Sequence, residues 1–189
     1  MRRDSVSRRR ADPPIITTMK TLTLFRHAKS SWTDPSQDDI DRPLTPRGIR
    51  AGATMGAYMR DEGLVPETVL CSTARRAKAT WDLLSAEWPD SVAVAFDEAL
   101  YLTTPAGILR RLSAVSDGVH RVMVIGHNPG LHQLAVRLTF GGDDQAIAQL
   151  GSHFPTAALA MIDLDHGTWG DIEPTAGRLV RFVVPRDLA

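Results

Sequence analysis

The chain has one cysteine, Cys71, and few aromatic residues, 6% of its 189 positions. A lone thiol excludes an internal disulfide and a cysteine-built zinc cluster, so nothing argues for an oxidising compartment and a cytoplasmic protein is expected. A long apolar run is missing too, which leaves no candidate for a membrane-spanning helix, and the first residues lack the apolar core of a secretory signal. Charge of one sign is not in excess: 22 Lys and Arg stand against 22 Asp and Glu. Arg2, Arg3, Arg8, Arg9 and Arg10 crowd the start, leaving 17 basic against 20 acidic residues beyond residue 18. The body therefore lacks the basic surplus of a nucleic-acid binder. Residues 1–18, with Asp4, Asp12 and Asp12-Pro13-Pro14 among their arginines and serines, read as a disordered leader, with Met19 as an alternative start. With 43% apolar content, residues 19–189 suffice for one core and are expected to form a single domain.

What is present is a repeated alternation of strand and helix. Thr21-Leu22-Thr23-Leu24-Phe25 has the period of a buried strand and runs into Arg26-His27-Ala28-Lys29-Ser30-Ser31, a polar loop. Ser30 to Arg42, with Asp34, Asp38, Asp39 and Asp41, reads as a surface loop whose acids are mostly solvated. Thr45-Pro46-Arg47-Gly48 opens a capped helix with Ile49, Ala53, Gly56 and Met59 inward and Gly63 as its stop.

A second strand over 67–72 precedes a helix over 73–88, whose Ala77, Trp81, Leu84 and Trp88 share a face. A third strand spans 92–96, and Thr104-Pro105 starts a helix with Ile108, Leu109, Leu112 and Val115 inward. Arg121-Val122-Met123-Val124-Ile125-Gly126 has the continuous apolar character of a central strand covered on both faces. His127-Asn128-Pro129-Gly130 follows, with Asn128 as the expected N-cap of the next helix. From Gly141 the chain reads as a loop, a strand over 157–163, a turn at Asp165-His166-Gly167, and closing strands near Trp169 and over 179–184. The expected fold is a three-layer α/β/α sandwich with a largely parallel central sheet, its last strands antiparallel.

Three strand ends carry matching chemistry: Arg26-His27, Ser72 to Arg76, and His127. Open α/β sheets bind ligands at the carboxyl ends of their strands. If these strands are neighbours, two arginines and two histidines converge on one crevice fit for phosphate, with bidentate, permanently charged donors. A histidine among arginines has its protonation disfavoured, so His27 can present a neutral ring nitrogen as a nucleophile. The bland alternative is that Arg26 and His27 merely end a strand.

These residues resemble the histidine phosphatase superfamily, and within it the SixA-type phosphohistidine phosphatases. Leu24-Phe25-Arg26-His27-Ala28 is similar to the family's Arg-His-Gly signature, with Ala28 in place of Gly. Asp41-Arg42-Pro43-Leu44-Thr45-Pro46-Arg47-Gly48 resembles the segment before the branch's first helix. Ser72-Thr73-Ala74-Arg75-Arg76-Ala77-Lys78-Ala79-Thr80 resembles Ser-Pro-x-x-Arg-Ala-x-Gln-Thr, departing at Thr73 and Ala79. Val124-Ile125-Gly126-His127-Asn128-Pro129 matches the second-histidine segment. The resemblance spans roughly residues 20–184 and implies a phosphoglycerate mutase-like fold. It also implies His27 as the phosphorylated nucleophile, with Arg26, Arg76 and His127 holding the phosphoryl oxygens. The serine-to-arginine spacing selects Arg76 over Arg75, which reads as a surface residue. Ala28 is a mild change if its φ is negative and a serious one if φ is positive.

The function so implied is a metal-independent, cofactor-free phosphatase that works through a phosphohistidine intermediate and acts on phosphohistidine of a protein. Lys29, Arg42 and Asn128 are candidates for substrate contacts at the rim, though Lys29 and Arg42 read equally well as solvated loop charges. Asp97 and Glu98 are favoured as solvated loop acids; the alternative makes Glu98 the general acid of a phosphatase for small phosphomonoesters. A second alternative is a phosphate- or phosphoprotein-binding module without turnover. The partner is a phosphorylated protein or small molecule, not nucleic acid or membrane, and a monomer is expected. His120, His132, His153 and His166 read as structural or exposed, and Trp32, Trp81 and Trp88 as packing groups.

Overall fold

The computed structural model describes residues 19–188 apart from 90, 166 and 173–176; the leader reading and His166 lie outside the described residues. Seven strands form one sheet: β1 (Lys20–Arg26), β2 (Thr68–Ser72), β3 (Ala93–Asp97), β4 (Arg121–Gly126), β5 (Thr139–Gly142), β6 (Leu159–Leu164) and β7 (Gly177–Val183). Their order is β3-β2-β4-β1-β6-β7-β5. The first four named in that order run parallel, whereas β6 is antiparallel to both β1 and β7, and β5 returns parallel to β7. Register is what builds the site. Arg26 pairs with Gly126 and Cys71 with Ile125, so β1, β4 and β2 end side by side and release His27, His127 and Ser72 at one rim.

Five helices cover the two faces: α1 (Pro46–Asp61), α2 (Arg75–Ser85), α3 (Pro105–Leu112), α4 (Gly130–Leu138) and α5 (Asp144–Ser152). One face of the sheet presents Phe25, Met123 and Ile125 to Met55 and Met59 of α1 and to Ala77, Trp81 and Leu84 of α2. The other presents Leu22, Leu24, Val122 and Val124 to Ile108, Leu131, Leu134 and Leu150. Strands buried on both sides explain the unbroken apolar run of β4.

Local signals act as expected at several helix ends. Thr45 Oγ1 accepts from the Gly48 amide at 3.0 Å, Thr104 Oγ1 from Gly107 at 3.2 Å, and Gly63, at φ +67°, follows α1. The inward face of α1 differs from expectation. Ile49 is 47% exposed, and the buried set is Gly48, Gly52, Met55, Gly56 and Met59. The cause is close approach rather than hydrophobicity: a Cβ on Gly48 would stand 2.2 Å from the Lys29 carbonyl oxygen, so this turn tolerates no side chain facing inward.

Asn128 does not cap α4, which begins at Gly130 after a cis Asn128–Pro129 peptide, because its side-chain amide donates instead to the Phe154 carbonyl at 3.1 Å. The stretch read as a loop from Gly141 holds the end of β5 and all of α5, the latter capped by Asp143, whose Oδ1 accepts from the Ala146 amide at 2.9 Å. No strand forms around Trp169 among the described residues. That indole is a buried plug donating to the Val119 carbonyl at 2.8 Å, with the Lys20 ammonium 5.6 Å from its ring centroid. Among the described residues no helix is long and apolar enough to cross a membrane.

Candidate active site

The residues at the ends of β1, β2 and β4 open into a cavity of about 510 Å³. Its walls are Arg26, His27, Lys29, Ser30, Trp32, Asp39, Arg42, Arg76, Leu102, His127, Asn128 and Thr156. The backbone ties these ends together: the His27 amide donates to the Gly126 carbonyl at 3.1 Å. Thr80 links the next residue to the helix that carries Arg76. Its Oγ1 accepts from the Ala28 amide at 2.9 Å and donates to the Arg76 carbonyl at 2.6 Å.

His27 is 8% exposed, and its tautomer follows from its partners. Nδ1 lies 2.7 Å from the Ala28 carbonyl oxygen, which only accepts, so Nδ1 carries the proton. The Nε2 lone pair is then left facing Arg76, whose Nε–H points to it at 3.3 Å. Burial pushes the His27 imidazole down to about 4, with Arg76, Arg26 and Arg42 lowering it further against the opposing Ala28 hydrogen bond. The ring is therefore neutral at physiological pH.

His127 stands 4.9 Å from His27, centroid to centroid. Its Nδ1 faces an Arg76 terminal nitrogen at 3.3 Å, and arginine only donates, so Nδ1 accepts and Nε2–H donates to Ser72 Oγ at 2.8 Å. Burial lowers His127 to about 3, and His27 and Arg76 add to the effect. Arg76, 3% exposed, thus bridges both imidazoles.

An acid organises the cations. Asp39 sits on a 3-10 turn, Asp39–Asp41, and splits its carboxylate between arginines: Oδ1 accepts from Arg42 at 2.7 Å and Oδ2 from Arg76 at 2.9 Å. Oδ2 also accepts from the Tyr101 hydroxyl at 2.6 Å, and the Asp39 carbonyl accepts from Arg76. Hydrogen bonds from Tyr101 and Arg42, with Arg76 close by, hold this carboxyl well below the usual range despite opposition from burial. Arg42 is further engaged with the Ser31 carbonyl and Ser30 Oγ at 2.7 Å each. Its guanidinium carbon lies 3.2 Å from the centroid of the Trp32 ring. Arg26 donates to the Phe154 carbonyl at 2.8 Å, while its buried Nε has no protein partner.

The structure brings Arg26, His27, Arg76 and His127 to one cavity, along with Arg42, Lys29 and Asn128. Arg42 is a buried strut rather than a loop charge, whereas Lys29 is exposed at the wall. Glu98 lies exposed on a 3-10 turn, Glu98–Leu100, and does not line the cavity. Asp97 pairs with Arg111 at 2.9 Å and accepts from the Ala99 amide at 2.8 Å. Arg75 is exposed. Trp32, read as a packing group, is 75% exposed and packs over Arg42. Among the described residues other than glycine, positive φ occurs at Leu102 (47°) and Ala157 (61°), not at Ala28, whose buried methyl group fits without strain. Sequence reasoning missed Asp39 and Tyr101. Arg42 three residues on was a usable signal for Asp39, since that spacing brings side chains together on one turn; nothing local marks Tyr101. Among the described residues no group of three or more His, Cys, Asp or Glu gathers to hold a metal ion.

Comparison with known proteins follows the same lines. The family model of the histidine phosphatase superfamily (branch 1) matches residues 22–101. An uncharacterized protein of Mycobacterium tuberculosis is 38% identical over 164 residues, covering 86% of this chain and all of the relative. Among solved structures, a candidate phosphohistidine phosphatase SixA of Nakamurella multipartitia superposes with a TM-score of 0.77 at 28% identity, over 88% of this chain and 96% of the other. The protein histidine phosphatase SixA complexed with tungstate shares the fold at TM-score 0.70 and 24% identity, over 89% and 99% of the two chains.

Proposed function

The chain belongs to the histidine phosphatase superfamily, and from that premise we propose that it is a metal-independent phosphatase that removes phosphate from phosphohistidine on a protein. The observation that carries the reading is His27. Its Nδ1–H is held by the Ala28 carbonyl, and its Nε2 lone pair faces the Arg76 Nε–H at 3.3 Å in a polar cavity that His127 also lines. In the first step Nε2 attacks phosphorus in line and the P–N bond of the substrate breaks, its electron pair going to the ring nitrogen of an imidazole that leaves neutral because its other nitrogen carries the proton. In the second, water attacks the phosphoryl group on His27, the new P–N bond breaks with its electron pair returning to Nε2, and inorganic phosphate departs with the protons of the water. Arg26, Arg76 and His127 stabilise the charge on the equatorial oxygens in both steps, a role that guanidinium groups fill without a metal.

The leaving group favours phosphohistidine over an alkyl phosphomonoester. Expelling an alkoxide calls for a general acid in the cavity. Glu98 lies outside it, and Asp39 is held ionised by two arginines. An imidazole leaves with far less help. The names of the SixA proteins in the structural comparison support the same substrate class.

The experiment is rapid acid-free quenching after mixing with a phosphohistidine protein. Base-stable, acid-labile phosphate on His27, absent in His27→Ala, is expected, as is turnover indifferent to chelator. Binding without labelling by any donor would leave only a phosphate-binding module. Activity lost to chelator and restored by a divalent metal would overturn the metal-free mechanism.

A further inference from the structure

Beside the phosphate cavity lies a smaller one of about 180 Å³, walled by Lys29, Arg47, Ala51, His153, Pro155, Thr156, Val184, Pro185 and Arg186. Lys29 and Thr156 belong to both cavities, so the two are neighbours across one shared wall. Three elements distant in sequence meet here. Arg47 comes from the first turn of α1, His153 from the residue after α5, and Arg186 from the closing 3-10 turn, Pro185–Leu188. The walls contain three permanent cations and a histidine but no acidic side chain. Among the described residues Lys29 and Arg47 form no salt bridge, and Arg186 meets only its own neighbour, Asp187, at 3.5 Å. Three cations against one nearby carboxylate, that of Asp187, leave a net positive charge, which an incoming anion relieves. Pro155 and Pro185 make the walls stiff, so little ordering is needed on binding.

We propose that this annex is a subsite for a second anionic group of the substrate, a carboxylate a few residues from the phosphorylated histidine; the proposal rests on the phosphatase reading of the adjoining cavity. The phosphoryl group sits at His27, the substrate chain passes over Lys29 and Thr156, and the acidic group lands between Arg47 and Arg186. A second phosphate on a small molecule presents the same chemistry.

The test pairs two phosphohistidine peptides, one with Glu flanking the phosphorylated residue and one with Gln, against wild type and the R47E/R186E double variant. Neither arginine lines the phosphate cavity, so turnover of phosphoramidate is expected unchanged in the variant. In wild type the Glu peptide is expected to show a KM lower by roughly fivefold, the size of a few solvent-exposed charge contacts, and the preference should vanish or invert in the variant. It should also shrink as salt rises. A sugar bisphosphate compared with its monophosphate forms the second arm. A variant-sensitive preference there and not with peptides assigns the subsite to a small molecule. Equal KM values in both arms, or a preference that survives R47E/R186E, overturn the subsite.

Binding of the same peptides carrying a hydrolysis-resistant phosphoryltriazole in place of phosphohistidine, read by fluorescence anisotropy, separates the two ideas. Charge-dependent binding without turnover of any phosphohistidine substrate would sink the phosphatase reading and keep the subsite. Turnover with charge-independent binding would do the reverse. R47Q/R186Q serves as the milder variant, with loss of the preference but no inversion.

Discussion

The phosphate cavity and the annex beside it are both lined by arginines, yet they are built in opposite ways. In the first, Arg42 and Arg76 are buried and each is fixed by an acid, a carbonyl or a neighbouring side chain. In the second, Arg47 and Arg186 are exposed. A buried guanidinium must be satisfied by fixed partners or it destabilises the fold, and that requirement also freezes its direction. An exposed one keeps its freedom and contributes charge without geometry. Under the proposed function the difference separates two tasks: stabilising a transition state, which calls for preorganised donors, and attracting a substrate, which calls only for potential.

The largest break in that contrast should come from Arg76. Arg76→Ala removes the group that bridges His27, His127 and Asp39, and kcat for phosphohistidine is expected to fall by about a thousandfold, as for loss of a central charge stabiliser. Arg186→Ala, by contrast, should leave kcat within about twofold of wild type, since an exposed charge adds little to a preorganised site. Steady-state kinetics on one phosphohistidine substrate decide both. A comparable kcat loss in the two variants would erase the distinction between fixed and free cations.

Asp39→Asn sharpens it. The amide keeps the shape but no longer supplies a charge for two guanidinium groups, so Arg76 and Arg42 lose the partner that aims them. A kcat reduced about tenfold with KM changed much less is expected, because misplaced transition-state contacts act on the chemical step. A pure KM effect would instead mark Asp39 as a surface electrostatic residue.

The two buried histidines give a pH signature. His27 lies near 4 and His127 near 3 in the folded protein, both below the ordinary 6.5 of an unfolded chain, chiefly through burial. Between those values the unfolded state binds more protons, so stability rises with pH there; acidification from 6.5 toward 4 therefore destabilises the fold. Denaturant titrations at pH 7 and pH 5 should show a lower midpoint at the lower pH. In His127→Phe the dependence should weaken. NMR titration of His27 should find it neutral down to about pH 4, and a value near 6.5 would contradict the buried, arginine-flanked geometry.

The first two-thirds of this architecture was legible in the sequence because the strands that carry the site have an alternating or continuous apolar run followed by a distinct polar residue: Phe25 before Arg26, Cys71 before Ser72, Gly126 before His127. Caps at Thr45 and Thr104 could be read for the same reason, as both are short-range. What escaped depends on contacts distant in the chain. Asp39 resembles Asp38 and Asp41 until Arg76, 37 residues later, selects it. Asn128 looks like a cap until the Phe154 carbonyl competes for its amide. Gly141-Gly142-Asp143-Asp144 has turn chemistry throughout, which hid β5 and α5 behind a loop. Arg47 and Arg186 lie far apart in the sequence, and the packing of the last turn against α1 brings them together.

The smallest expected effect tests the free half of the contrast directly. If Arg47 is unengaged and Arg186 only loosely paired with its exposed neighbour Asp187, Arg47→Ala and Arg186→Ala should shift the thermal midpoint by no more than about 2 °C, since exposed substitutions rarely change stability by more than about 0.5 kcal/mol. The sign adds information. Removing one of several mutually repelling cations relieves strain in the free protein, so a slight rise is expected at low salt, fading as salt screens the charges. A clear fall would mean that these arginines hold the closing turn against α1, and the annex would then be part of the scaffold.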